Sequence, residues 1–365
     1  MRMVLGSRLW KWSAAAGIGA ALLVLLAGLA LRSTGGPGGP PPQPSGPVVQ
    51  ESGQDQERAS ARARAQQELA AAEETLTRQV SALDALRVEV YVSAEERVER
   101  VPLELYVRGV LAGEMPADFE LEALKAQAIA ARTYIVKQLA AGGAGGAKGG
   151  DVSDTVADQV YVPLRQLGDR WPEEESAQAL AKLTRAVQET RGLIMTYNGQ
   201  PIEASFFSTS NGYTENSEDY WTQSLPYLRS VASPWDEALS PRYEQAVTLT
   251  LAEFRRKLGV RKGAEREMKV LEQTEGHRVK RMSIGGKTFT GRQVREKLGL
   301  ASSQFVWSTG DSEITFTTYG YGHGVGMSQW GANGMALAGK QAKEILQHYY
   351  TGVKIEQASK LPEEF

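Results

Sequence analysis

Val101-Pro102-Leu103-Glu104-Leu105-Tyr106-Val107-Arg108-Gly109-Val110-Leu111-Ala112-Gly113-Glu114-Met115-Pro116 decides the architecture of the folded part of this chain. Leu103, Tyr106, Val107, Val110 and Leu111 recur at i, i+3, i+4, i+7 and i+8, which puts them on one face of a helix. Pro102 stands at the helix start, where a missing N–H is harmless, and Pro116 ends the helix. Just upstream, Val88-Glu89-Val90-Tyr91-Val92 alternates with a period of two, the pattern of a strand. Downstream, a second helix opens after Asp118 as N-cap, with Glu120 and Glu122 in its positive first turn. It continues through Leu124, Ala128, Ala131 and Ile135 and ends in the glycines between Gly142 and Gly150.

Farther along, a strand at Val247–Leu251 leads to a short helix ending near Gly259. Met268–Gln273 and Val279–Ile284 follow as strands, with Gly285-Gly286 suited to a two-residue hairpin and a short helix over Gln293–Leu298. The pattern predicts an α+β fold: a two-lobed domain over 88–353, a smaller α+β lobe inserted at about 247–306, and a tail at 354–365. The last pieces of the main lobe are expected at Ile314–Thr318 and Ala342–Tyr350, and no internal repeat stands out.

Among 365 residues, Lys+Arg 41 against Asp+Glu 43 leaves a net charge of -2, which excludes a general electrostatic grip on nucleic acid. Cysteine is absent, so disulfides, thiolate metal sites and thiol nucleophiles are excluded. Ser13–Leu31 is uncharged and apolar, and 19 residues rising about 1.5 Å each cross roughly 30 Å of hydrocarbon. Arg2, Arg8 and Lys11 precede it in a short basic terminus, residues 1–12, that favours a cytoplasmic N-terminus. The rival reading is a cleaved signal peptide, with Gly28-Leu29-Ala30 as a small-residue cleavage site. The run is longer than a usual signal core, so a single-pass anchor over 13–31 is preferred, with the domain outside the cytoplasm. Residues 32–87 read as a Gly/Pro linker and an Ala/Glu-rich helical stalk.

Glu114 falls on the apolar stripe of the first helix, where a carboxylate is costly unless neutral, paired or useful. A frayed helix end in solvent is the ordinary reading, but Gly113 leaves room for a ligand to approach. Arg132 flanks the stripe of the second helix, either as a snorkelling surface cation or as one fixed on a carboxylate or substrate oxygen. Ser208-Thr209-Ser210-Asn211-Gly212-Tyr213-Thr214-Glu215-Asn216 reads as a polar turn or as a cluster suited to reading hydroxyl groups. Trp221 and Trp235 could stack on sugar rings or sit in the core. Five of the twelve residues from Gly320 to Gly331 are glycine, bracketing His323 and leading to Ser328 and Gln329. No dinucleotide loop, HExxH or GxSxG occurs.

Val101–Pro116, Glu122-Ala123-Leu124-Lys125-Ala126-Gln127-Ala128 to Ala131-Arg132-Thr133-Tyr134, the Ser208–Asn216 run and Gly322–Ala332 together resemble the stage II sporulation protein D family. The resemblance runs from about residue 88 to the C-terminus. It implies a lytic transglycosylase of peptidoglycan glycan strands stripped of stem peptides, acting in forespore engulfment between two membranes, on the mother-cell side. It implies partners in stage II sporulation proteins P and M. By the same resemblance Glu114 matches the essential acid and Arg132 the active-site arginine, with Tyr134, His323 and Gln329 in support. Ser208, Ser210, Asn211, Tyr213, Thr214 and Ser328 would then orient the glycan. Some relatives bind zinc through a Cys and a His-Cys pair after the second helix; here Ser153, Ala157 and Asp158 stand at those positions, so neither metal nor cofactor is expected. A transglycosylase needs one carboxyl where ordinary glycosidases need two, because the muramyl C6 hydroxyl is the attacking group. A non-catalytic glycan-binding scaffold and a hydrolytic muramidase remain the alternatives.

Overall fold

The computed structural model describes residues 60, 63, 64, 66, 67, 70, 86–142 and 149–360. The expected anchor at 13–31 and nearly all of the linker and stalk lie outside the described residues; residues 60, 63, 64, 66, 67 and 70 are helical. Among the described residues no helix is long and apolar enough to cross a membrane.

The fold is α+β, with small sheets and helices interleaved along the chain. Strands β1 (Arg87–Val92) and β2 (Arg97–Pro102) form a hairpin that pairs Arg87 with Pro102. Helix α1 (Leu103–Glu114) follows directly, with Pro102 as the residue before it rather than in its first turn. Its predicted stripe is fully buried, but so are Glu104, Arg108, Gly109 and Ala112, so α1 is a core helix enclosed on several sides. Helix α2 (Leu121–Ala140) starts two residues later than an Asp118 cap would place it. The Glu120 N–H is instead satisfied by the side chain of Asn333, 2.8 Å away. Asp118 is exposed, and no side chain caps the first turn of α2.

Helix α3 (Glu173–Glu189) and strand β3 (Leu193–Tyr197) complete the first half of a large buried cluster. The chain then enters β4 (Glu244–Thr250), α4 (Leu251–Leu258), β5 (Met268–Gln273), β6 (Val279–Ile284), β7 (Lys287–Thr290), α5 (Gly291–Leu298), β8 (Phe305–Thr309) and β9 (Glu313–Tyr319). These build two three-stranded sheets, ordered β5-β6-β7 and β8-β9-β4. A second buried cluster lies with them, including Phe254, Met282, Ile284, Val294, Phe305, Ile314 and Phe316. The β6–β7 turn is the expected two-residue one, with Gly285 and Gly286 both at positive φ, 58° and 84°. Ile314–Thr318 does not return to the large cluster as expected: β9 is the central strand of β8-β9-β4, and Ile314 and Phe316 fill the second cluster. Helices α6 (Gln329–Leu337) and α7 (Ala342–Tyr349) and strand β10 (Lys354–Gln357), paired with β3, return to the large cluster.

An internal repeat, not expected from the sequence, emerges here. Thr250-Leu251-Ala252-Glu253-Phe254-Arg255-Arg256-Lys257-Leu258-Gly259 and Thr290-Gly291-Arg292-Gln293-Val294-Arg295-Glu296-Lys297-Leu298-Gly299 are both strand-to-helix units. Each begins with a Thr capping box closed by the residue three further on, and each ends in a left-handed glycine. The copies share their caps, the buried pairs Phe254/Val294 and Leu258/Leu298, and the residues Arg255/Arg295, Lys257/Lys297 and Gly259/Gly299.

Candidate active site

Glu114 is the last residue of α1, and its side chain is half-buried. The Val160 N–H donates to its Oε1 at 2.8 Å, and Gln329 Nε2 donates to its Oε2 at 3.2 Å. Burial pushes the Glu114 carboxyl above its usual range, and these two hydrogen bonds to the ionised form hold back part of the rise. Gln329, the first residue of α6, is buried, so the Gly320–Gly331 segment delivers a fixed donor to the acid.

Gly113 serves a purpose other than ligand approach. A Cβ at this position would stand 2.5 Å from the Val160 carbonyl oxygen, so glycine is what lets that loop close onto the helix end. Gly109 does the same one turn earlier, where a Cβ would stand 2.3 Å from the Tyr161 ring. Gly113→Ala is therefore expected to displace the 159–161 loop and cost about 1–3 kcal/mol, the usual scale of overpacking. Thermal unfolding checks this: the melting temperature should fall below that of the native chain.

The same loop organises the polar side chains behind Glu114. Tyr134 donates to Asp158 Oδ1 at 3.1 Å, while the N–H and hydroxyl of Ser153 both lie 2.8 Å from Asp158 Oδ2. Tyr106 donates to Gln159 Oε1 at 3.1 Å and stacks on Tyr161 with ring centroids 5.4 Å apart. Burial and the Asp158 carboxylate push the Tyr134 hydroxyl well up, so it is a neutral donor. These residues do not fit zinc: Ala157 offers no ligand atom, and Ser153 and Asp158 are bonded to each other. Among the described residues no three His, Asp or Glu side chains are grouped to hold a metal ion.

Arg132 does not belong to the Glu114 site. It is fully buried and forms a two-pronged pair with Glu104, Nε to Oε1 at 3.0 Å and Nη2 to Oε2 at 2.6 Å, while Nη1 donates to the Leu193 carbonyl at 3.1 Å. Glu104 and Glu114 are ten residues apart on α1, roughly 15 Å at the helical rise. The guanidinium closes the far end of the helix pair because a carboxylate placed by α1 meets it there.

Four of the six residues expected to contact substrate are engaged within the fold. Ser210 is fully buried, its N–H and hydroxyl each 2.8 Å from an oxygen of Asp236. Ser328 donates to the same Asp236 and caps α6 by accepting the Gly331 N–H at 3.2 Å. Asn211 donates to the Gly276 carbonyl at 2.8 Å and to the Gln304 side chain, and Thr214 donates to the Arg229 carbonyl at 3.1 Å. Ser208 and Tyr213 keep exposed surface, Tyr213 most of all at 41%. Asp236 is the hub the sequence did not reveal, a fully buried carboxylate that also accepts from Ser233 at 2.8 Å. Locally it is an acid that follows Trp235 and opens the short helix Asp236–Leu239.

His323 lies among Phe207, Tyr220 and Trp221, with ring centroids 5.7, 5.4 and 5.6 Å away. Burial, aided by the cations Arg295, Arg278 and Arg292, lowers its pKa to about 3, so it is neutral and does not act as a charged stabiliser. Its Nδ1 accepts the Val325 N–H at 3.0 Å, which assigns the ring proton to Nε2.

A family model described as SpoIID, Stage II sporulation protein, matches residues 91–197, the stretch that carries α1, α2, the Asp158 loop and β3. The chain is 52% identical to the stage II sporulation protein D of Bacillus subtilis (strain 168), over 74% of this chain and 79% of that protein. It is equally similar to the protein of that name from Bacillus amyloliquefaciens, with the same coverage. An amidase enhancer of Bacillus subtilis (strain 168) is 32% identical, over 68% of this chain and 40% of that protein.

Proposed function

The chain belongs to the stage II sporulation protein D family, and from that premise we propose that it is a lytic transglycosylase cleaving peptidoglycan glycan strands to 1,6-anhydro-muramyl ends. It is a sporulation protein related to an amidase enhancer. The observation that carries the enzymatic reading is Glu114, half-buried, raised in pKa and held at both oxygens by donors that fix its direction. Protonated Glu114 gives its proton to the leaving glycosidic oxygen. The muramyl C6 hydroxyl then bonds to C1 and returns its proton to Glu114, so no water is consumed and the acid is regenerated.

A hydrolytic muramidase would need a second carboxylate to activate water. The acids on the loop bonded to Glu114 are already engaged: Asp158 accepts from Tyr134 and Ser153, Asp151 from the Glu89 N–H at 2.8 Å and Asp154 from the Ser93 N–H at 3.1 Å. That favours the water-free route. In this reading residues 13–31 anchor the chain with its N-terminus in the cytoplasm, residues 88–353 work outside it, and stage II sporulation proteins P and M are the partners. The test is mass spectrometry of glycan strands incubated with the full chain. New ends should be lighter by one water than hydrolytic fragments; ordinary reducing ends would make the protein a muramidase, and intact strands a scaffold.

A further inference from the structure

The repeat in the second cluster sets two arginines in equivalent positions with different fates. Arg255 on α4 is balanced by Glu265, Nε to Oε2 at 3.1 Å and Nη2 to Oε1 at 2.7 Å. Its counterpart on α5, Arg295, is half-buried and among the described residues has only neutral acceptors, the Ala301 carbonyl at 3.2 Å and the Tyr220 hydroxyl at 3.3 Å. The carboxylates of this neighbourhood are engaged elsewhere: Glu215 with Arg278 at 3.1 Å, Asp219 with Lys280 at 3.0 Å, Glu296 with Arg292 at 2.7 Å, and Glu218 with Arg229. A half-buried guanidinium without a carboxylate is an unbalanced charge, and the repeat shows what its twin uses to balance it.

What lies beside Arg295 is aromatic. Tyr220, which accepts its hydrogen bond, is half-buried like Trp221 and His323, and the three rings touch one another. Arg292 covers the Tyr220 ring at 4.6 Å and adds a second cation to the same edge. From His323 the chain runs through Met327 and Ser328, paired with Phe206 and Phe207, to Gln329 on the Glu114 carboxylate. Six residues of extended chain span at most about 20 Å, so this surface lies within a few sugar rings of the acid.

We propose that Arg295, with Tyr220, Trp221 and His323, forms a subsite for a sugar ring that bears a carboxylate. The carboxylate balances Arg295 as Glu265 balances Arg255, but at the terminal Nη groups, because the Ala301 carbonyl already holds Nε; the ring lies against the aromatic side chains. The proposal rests on the glycan-cleaving reading above, in which the ligand carboxylate is the lactyl group of a muramyl sugar without its peptide, or a carboxylate of the peptide itself.

The test measures binding of bare glycan oligomers to the full chain in detergent, carrying Glu114→Gln, against the same oligomers with their carboxyls converted to methyl amides. The carboxylated form should bind roughly tenfold tighter, with the preference shrinking as salt rises. Arg295→Met should abolish that preference, and Arg295→Lys should retain part of it. A third arm with peptide-bearing glycan separates the sources: weaker binding than bare glycan assigns the subsite to the lactyl group, and equal or tighter binding to the peptide carboxylates. Equal affinity for carboxylated and amidated oligomers overturns the subsite, whether or not Arg295→Met folds. Anhydro ends released by the native chain without such a preference would leave the enzymatic reading standing and the subsite refuted. The preference without anhydro ends would do the reverse.

Discussion

Glu114→Gln should lower glycan cleavage by about 10²–10⁴-fold while leaving the fold intact, the scale of general acid–base catalysis. The fold should survive because both neighbours can adapt. The carbonyl oxygen of the introduced amide can still accept the Val160 N–H, and the Gln329 amide can turn so that its oxygen accepts from the new NH₂ group. A glutamine cannot give and recover a proton, so the chemical step alone is lost. The pH dependence follows from the sign of the shift. In the proposed mechanism the protonated acid is the active form, so kcat/KM of the native chain should fall as pH rises through the raised pKa of Glu114. Stability has the same direction. A carboxyl raised in the folded state binds its proton more tightly there than in the unfolded chain, so stability declines as pH climbs from the ordinary carboxylate range through the raised value. Glu114→Gln removes the titrating group, and its melting temperature should lack that decline. A Glu114→Gln variant that releases anhydro ends at near-native rate would place the acid elsewhere.

The apolar stripe of α1, the hairpin at Gly285-Gly286 and the helix stop at Gly259 were legible in the sequence because each is fixed by neighbours in the chain. Glu114 was legible for the same reason, as an acid at the end of a buried stripe. What was not legible depends on partners far along the chain. The loop that orders Glu114 arrives 46 residues later, and Gly113 is explained only by the Val160 carbonyl against it. The Ser/Thr/Asn run looked like a surface for reading hydroxyls because a buried aspartate more than twenty residues away, Asp236, is invisible to local pattern. Arg132 was legible as a cation that could be fixed on a carboxylate, while its site role came from the resemblance; the carboxylate is Glu104, 28 residues before it, which spacing alone does not point to.

That last correction carries the second large effect. Arg132→Met should destabilise the chain by about 3–5 kcal/mol, since it strands the Glu104 carboxylate in the core with little more than the Gly192 N–H at 3.3 Å. Replacing both partners, as Glu104→Leu with Arg132→Met, should recover much of the loss, because the buried charge disappears with its counter-charge and apolar side chains of similar volume pack in their place. Chemical denaturation of the two single variants and the double variant gives the coupling energy directly. Activity then separates two meanings of an essential arginine. An arginine that holds α1 and α2 together matters only through the fold, so the refolded double variant should cleave glycan at a rate near that of the native chain. An arginine that touches the reacting sugar would leave the double variant folded and inactive. Loss of activity in Arg132→Met without loss of stability would return Arg132 to the active site, and the far end of α1 would then have to reach the substrate.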